Sequence, residues 1–494
     1  MDWKGAVPEF GFRHSYAEEL EGFSIPWRPD RAPAPRLLRL NRDLAAELGL
    51  DVEALDGPLG AAVFSGSLLP PDARPVAQAY AGHQFGGFSS QLGDGRAVLL
   101  GELRDRAGRT VDLALKGSGA TPFARRGDGK AAVGPVLREY LMGEAMAALG
   151  VPTTRALAAV ATGAPVWRET QLPGAVLARV AASHIRVGTF QFFAARGEGD
   201  RVRRLLDHAI ARHHPQAAEA AVPALAFLQA VAGAQARLVA QWMGLGFVHG
   251  VMNTDNMAIS GETIDYGPCA FMEGYAPGTV FSSIDQTGRY AYGNQPGIAQ
   301  WNLTRLAETL LPLIDADEGR AIAAARGVLE GFGPAYFAAW EGVMRAKLGL
   351  AQAQPGNQAL AEALLSALEG QGADWTMTFR ALAPAALGDR GPLRVLLREP
   401  LALEVWLDRW QARLATEGRP PEAVAAAIRA ANPAVIPRNL AVEEALAAAT
   451  AGDLAPFEAL LAAVTRPFDP QPGQERYLLP DPGGLAGYRT FCGT

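Results

Sequence analysis

HGVMNTDNMAISGETIDYGP, residues 249–268, decides how the rest of the chain is read. It follows an alanine-rich run with helical periodicity, VPALAFLQAVAGAQARLVAQWMGLG. Within it, Asn256 and Asp265 are separated by MAIS-GE-TI, a pattern expected to fold back as a short hairpin. Such a turn brings an amide oxygen and a carboxylate together. Mg2+ takes a few hard oxygens from protein and the rest from water and phosphates. Asn256 and Asp265 are therefore candidate metal ligands; the ordinary reading is a chance turn after a helix.

Working outward, His249, Asn256 and Asp265-Tyr266-Gly267 resemble a protein-kinase catalytic loop, H-R-D-x-x-x-x-N, and the D-F-G that follows it. In that pattern the first Asp is the base, and the Asn and the later Asp hold magnesium. The base position here is Val251. A well-placed general base contributes about 10²–10⁴-fold, whereas positioning and charge neutralisation dominate phosphoryl-type transfers. Asp255, next to Asn256, is the nearest acidic replacement.

Upstream, QLGDGRAVLLGE (91–102) places Gly93 and Gly95 before a β-like run. Glycines let backbone N–H groups approach phosphate oxygens, although an ordinary hairpin turn reads the same way. In TVDLALKG, Lys116 ends an alternating apolar run as a kinase lysine does; a solvated surface lysine is the alternative. Its expected partner is a helix glutamate. The helical pattern 134–149 offers Glu139 and Glu144, and periodicity does not choose between them. Between strand and helix, ATPFARRGDGKAAVG (120–134) is either an exposed connection or a basic loop placed to touch a nucleotide. Arg179 interrupts the apolar run in VLARVAASHIRVGTF, with Arg186 beyond it. A buried arginine needs a carboxylate or a phosphate, so a structural ion pair and an anion site are both open.

Composition sets the frame. With 494 residues, 49% hydrophobic and 19% charged, the chain is globular and large enough for several domains. A net charge of −6 gives no global attraction to nucleic acid or anionic membrane, so neither is expected as a partner. Only four lysines occur, which makes Lys116 more telling. The N-terminal MDWKGAVPEFGFRHSY carries no secretory pattern, and a core helix is expected for 220–236 rather than a membrane span. Two cysteines cannot build a disulfide framework, and a cytoplasmic protein is expected. The chain divides into an N-terminal extension (1–75), a strand-rich lobe with one helix (76–190), a helical lobe with the decisive loop (191–345), and helices with an irregular tail (346–494). The alanine-rich last third is expected to carry little functional content.

These stretches together resemble the selenoprotein O family of kinase-like protein nucleotidylyltransferases. The resemblance is carried by YAGHQFGGFSSQLGDGRA, LALKGSGATPFARRGDGKAAVGPVLREYLMGEAM, HIRVGTFQFF, HGVMNTDNMAISGETIDYGP and YGNQPGIAQWNLTRLAE. It implies an α+β, bilobal protein-kinase-like fold that binds ATP inverted and transfers AMP to Ser, Thr or Tyr hydroxyls of proteins. It implies Mg2+ or Mn2+ as cofactor. By the same resemblance Gly93, Gly95, Arg96, Lys116, Asp128 and Gly129 match nucleotide-contacting positions, and Glu139 matches the lysine's partner. Arg179 and Arg186 match the arginines that hold the inverted terminal phosphates. Asp255 matches the proton acceptor, and Asn256 and Asp265 the metal ligands. UTP as donor and a nucleotide-binding pseudokinase scaffold are the alternatives. Cys492 occupies the family's near-terminal selenocysteine position, and Cys269 is the only other thiol. Two free thiols are expected rather than a bridge between them.

Overall fold

The structure is a computed structural model that describes residues 7–480, 484–485 and 487–491. Its strands follow the β-like runs of the sequence. Ala97–Arg104 pairs antiparallel with Thr110–Lys116, which pairs with Gln171–Ala181, which pairs with Arg155–Trp167. Val76–Gln78 lies outside Ala97–Arg104, and the short Ala131–Ala132 pairs beside Gln171–Ala181. The first 75 residues do more than pack on this sheet. Ser24–Pro26 forms one edge and Arg36–Leu40 the other.

Strand alternation sorts the side chains onto two faces. Val176, Ala178 and Val180 point into a cluster with Leu44, Leu55 and Phe64, contributed by the N-terminal helices Arg42–Glu47, Val52–Leu55 and Pro58–Phe64. Ala175 and Leu177 point the other way, toward Leu137 and Leu141 of the helix Val133–Ala148. Arg179 lies two residues beyond Leu177, on this helix-facing side. Leu113 and Leu115 belong to the first cluster, so Lys116 also turns to the helix. The same period-2 rule thus delivers both cations to one place.

The helix Val133–Ala148 is buried on nearly every side, because Asn439–Thr450 and Ala455–Val464 pack on it opposite the sheet. The alanine-rich last third therefore walls the central cleft, contrary to the little content expected of it. Gln295–Ile314, Glu318–Glu330 and Phe332–Lys347 pack on Pro223–Leu245, which opens on a proline with preset φ and stops at Gly246 in the left-handed region. That helix is long and apolar enough to cross a membrane, but 56% of its most apolar window is buried inside the protein. Just after it, Phe247–Val248 pairs with Ala270–Phe271. This ribbon closes the decisive stretch into a loop with fixed ends.

The hairpin expected between Asn256 and Asp265 does not form. Its arms bridge outward instead: Ala258 to Arg186, and Thr263 to Thr153. The two short arms around Gly261 bridge to single residues on either side, Arg186 before a helix and Thr153 before a strand, and tie the loop to both.

Candidate active site

Asp265 is the centre. Lys116 Nζ donates to its Oδ1 at 2.6 Å and to Glu139 Oε2 at 2.6 Å. Arg179 Nη1 donates to the same Oδ1 at 2.7 Å and to Glu139 Oε1 at 3.0 Å. Arg186 Nη1 reaches Asp265 Oδ2 at 2.9 Å and the Asp255 carbonyl at 2.6 Å. Burial alone would raise the Asp265 carboxyl; Lys116, Arg179 and Arg186 hold it well below the usual range. The structural ion pair considered for Arg179 is thus present, on a guanidinium that also lines the cleft. Glu139 is the lysine's partner. Glu144, the other possibility, holds Arg155 through both oxygens at 2.9 and 2.7 Å.

Arg179 is oriented from behind. Its Nε donates to His184 Nε2 at 3.2 Å, and His184 Nδ1 lies 3.0 Å from Asp112 Oδ2. Burial lowers the His184 pKa, in keeping with a neutral ring that accepts at one nitrogen and donates at the other. Arg186 sits over the Tyr80 ring at 4.7 Å.

Asp255 stands at the cleft edge. Its Oδ2 accepts from Gln84 Nε2 at 3.1 Å, while Oδ1 is buried without a hydrogen-bond partner. Burial pushes its carboxyl up to about 6, against the Gln84 hydrogen bond and Arg186. Gln84 belongs to a small hairpin, Gly82–Gln84 with Gly87–Ser89. The hairpin leans on the loop through His83 N to Thr254 Oγ1 at 2.7 Å and Phe85 N to Asn253 Oδ1 at 3.1 Å. Asn256 donates its amide nitrogen to the Val251 carbonyl at 3.0 Å, which leaves its oxygen for another partner.

Gly93 and Gly95 run against Phe123: a Cβ on Gly93 (φ +73°) would lie 2.3 Å from the ring. Between them Asp94, which the sequence reading passed over, is buried and accepts from Gln78 N at 3.0 Å. Burial pushes its carboxyl up to about 6 despite Arg186 and that amide. Arg96 and Gly129 line the same cleft, with Arg125 and Arg126. Asp128 does as well, though its carboxylate is held by Arg168 at 2.9 Å. The cleft measures about 1340 Å³, above the roughly 300–1,000 Å³ of most small-ligand sites.

Among the described residues no three His, Cys, Asp or Glu side chains converge on a metal position. The donor set present is the Asn256 amide oxygen and the Asp265 carboxylate, with the orphaned Asp255 Oδ1 in the same cleft but not needed as a ligand. Such hard oxygens fit Mg2+ or Mn2+ with a shell completed by water and phosphate. Cys269 is fully buried, and burial pushes its thiol up to about 11. Cys492 lies outside the described residues.

Comparison with known proteins gives a consistent assignment. A family model described as protein adenylyltransferase SelO matches residues 9–465. A protein nucleotidyltransferase YdiU of Cereibacter sphaeroides (strain KD131 / KCTC 12085) is 65% identical over 487 residues, covering 98% of this chain and 100% of that protein. A protein of the same name from Mycobacterium sp. (strain KMS) is 58% identical over 480 residues, with 97% and 98% covered. Another, from Methylorubrum populi, is 56% identical over 495 residues, with 98% and 99% covered.

Proposed function

The chain belongs to the SelO family, and on that premise we propose that it transfers AMP from ATP to Ser, Thr or Tyr hydroxyls of proteins in a bilobal, kinase-like site. The observation that carries this reading is the buried network of three cations, Lys116, Arg179 and Arg186, on Asp265 and Glu139 in the wall of a cleft whose edge holds Asp255. The cations are more than a kinase lysine requires. With the nucleotide inverted, they bind the β- and γ-phosphate oxygens, and guanidinium groups suit a multiply charged leaving group. Glu139 keeps Lys116 oriented. Asn256 and Asp265 would hold a Mg2+ or Mn2+ ion, which would supply neutralisation of phosphate charge. Asp255 Oδ1 accepts the proton of the acceptor hydroxyl; the hydroxyl oxygen bonds to the α-phosphorus, the bond from that phosphorus to the α–β bridging oxygen breaks, and pyrophosphate leaves.

Val251 explains the changed reaction: no base stands where a γ-phosphoryl acceptor would need one. ATP labelled separately at the α- and γ-phosphates, incubated with the enzyme and lysate proteins, tests the reading. Protein label from α alone is expected. Label from γ alone would make the protein a kinase. Label from α-labelled UTP in preference to ATP would change the donor, and no label from any nucleotide would leave a nucleotide-binding scaffold.

A further inference from the structure

The hairpin that touches Asp255 presents a surface that the transfer reaction itself leaves unexplained. Its two-residue turn is Phe85-Gly86, and Phe85 adopts φ +51°, a costly conformation for an aromatic residue. Two hydrogen bonds fix it there, from Phe85 N to Asn253 Oδ1 at 3.1 Å and to Tyr290 Oη at 3.1 Å. Phe85 nonetheless stays 37% exposed, with its ring 5.1 Å from that of Tyr290, and Phe88 on the returning strand is 44% exposed. Structure is thus spent on holding an aromatic side chain outward at the cleft mouth.

Arg289 lies against this turn; a Cβ on Gly86 would be 3.7 Å from its guanidinium carbon. It stacks on Trp301 at 4.7 Å. Arg305 stacks on the same indole at 5.0 Å but is paired with Glu308 at 2.6 Å. The Arg289 guanidinium forms no salt bridge among the described residues, while its backbone N–H donates to Asp285 Oδ1 at 2.9 Å. Ring stacking steadies the half-buried side chain; its Nε is buried without a partner among those residues and it also hydrogen-bonds Tyr290, so a carboxylate would meet the remaining Nη edge.

We propose that Phe85 and Arg289 dock the acceptor polypeptide, with Arg289 binding an aspartate or glutamate two to four residues from the modified hydroxyl. The inference rests on the transfer reading and names the substrate class of that site. The spacing follows from the hairpin: Gln84 donates to Asp255, and Gly86, two residues on, faces Arg289, whose guanidinium would lie 3.7 Å from a Cβ placed there. Extended chain advances about 3.3 Å per residue, so a bound segment covers the gap in a few residues. Phe85 supplies the apolar contact between the two points.

The test uses the full-length enzyme, α-labelled ATP and a peptide library with one central Ser, Thr or Tyr and varied flanks. Wild type is expected to prefer acidic over basic residues at the second to fourth flanking positions by about three- to fivefold in kcat/KM, the range of a partly exposed ion pair. Arg289→Ala should flatten the preference, and Arg289→Glu should turn it toward lysine, with the KM for ATP unchanged in both. Phe85→Ser should raise the peptide KM without altering the charge preference. An acidic preference that survives Arg289→Glu, or a wild-type enzyme that labels the library without flank preference, overturns the docking inference and leaves the transfer reading intact. A stronger preference for phosphorylated flanks than for Asp or Glu would also overturn it. Failure to label any peptide or lysate protein overturns the transfer reading, and this inference falls with it.

Discussion

Asp265 carries three cations on one carboxylate while its own backbone sits at φ +64°, a region non-glycine residues rarely enter. Such a conformation persists only where surrounding bonds over-determine it. Asp265→Asn leaves the shape and removes the charge. Transfer should fall by about 10²–10³-fold, and the protein should lose about 3 kcal/mol, the scale of a broken buried pair; labelling and urea unfolding measure the two. His184 acts on the same cluster from one step away. His184→Leu should raise the KM for ATP about tenfold with kcat little changed, because the Arg179 Nε–H loses its acceptor. His184→Gln, whose amide can accept from Arg179 and donate to Asp112, should restore most of it. Lys116, Asn256 and Asp265 stood out in the sequence through motif order, and the structure brings Lys116 onto Asp265 with Asn256 lining the same cleft. Glu139 was not separable from Glu144, since a helix buried on all sides has no polar face to betray its partners. Asp94, Gln84 and His184 lie inside the stretches that carry the family resemblance, but a carboxylate between glycines, a lone glutamine and a lone histidine have no chemical pattern of their own, and contact reveals what they touch.

At the scale of elements, the strands and the glutamate helix emerged where alternation and helical period predict them, whereas the arms around Gly261 paired outward because their partners are distant in sequence. The Gly82–Ser89 hairpin gave only glycines to read, and its use is steric. A Cβ at Gly82 would stand 2.5 Å from Asp255 Oδ1 and 2.9 Å from its Cβ. Gly82→Ala should therefore displace Asp255 and lower kcat by at least about tenfold, within the range of a general base's contribution. The unfolding midpoint should move little, since the hairpin lies outside the main sheet. A large stability loss with normal kcat in the folded fraction would refute this. The far helices make a separate, pH-dependent statement. Lys347 ends Phe332–Lys347, donates to Asn432 Oδ1 at 2.8 Å and lies 4.1 Å from the Phe379 ring centre. Burial lowers its pKa to about 7. The unfolded chain then binds more protons than the folded one between about pH 7 and the ordinary lysine value near 10.4, so this residue makes stability rise with pH across that window. Lys347→Met removes the slope: wild type should gain on the mutant in denaturant unfolding as pH rises from 7 to 10, whatever their offset at neutral pH.

For the whole molecule, the cleft is assembled from parts far apart in the chain. The first 75 residues give both sheet edges, the middle gives the loop, and Asn439–Thr450 gives a wall, with Arg138 in the central helix joined to Glu443 at 3.0 Å. Arg138 also donates to the carbonyls of Gly267 and Cys269 at 2.9 and 2.7 Å, tying the wall to the segment after Asp265. None of this was readable from composition, because alanine-rich helices look alike whether they line a site or merely pack. A ligand that bridges these parts should therefore stabilise all of them at once. ATP with Mg2+ at a hundred times its Kd adds about 2.7 kcal/mol to the folded state, which calorimetry should register as one transition moved up by several degrees. Chelating the metal should remove much of the shift, and Asp265→Asn should abolish its metal dependence while Arg289→Ala leaves it whole. Separate shifts of early and late transitions would show instead that nucleotide grips one part alone, and that the cleft walls are not coupled through Arg138 and Asp265.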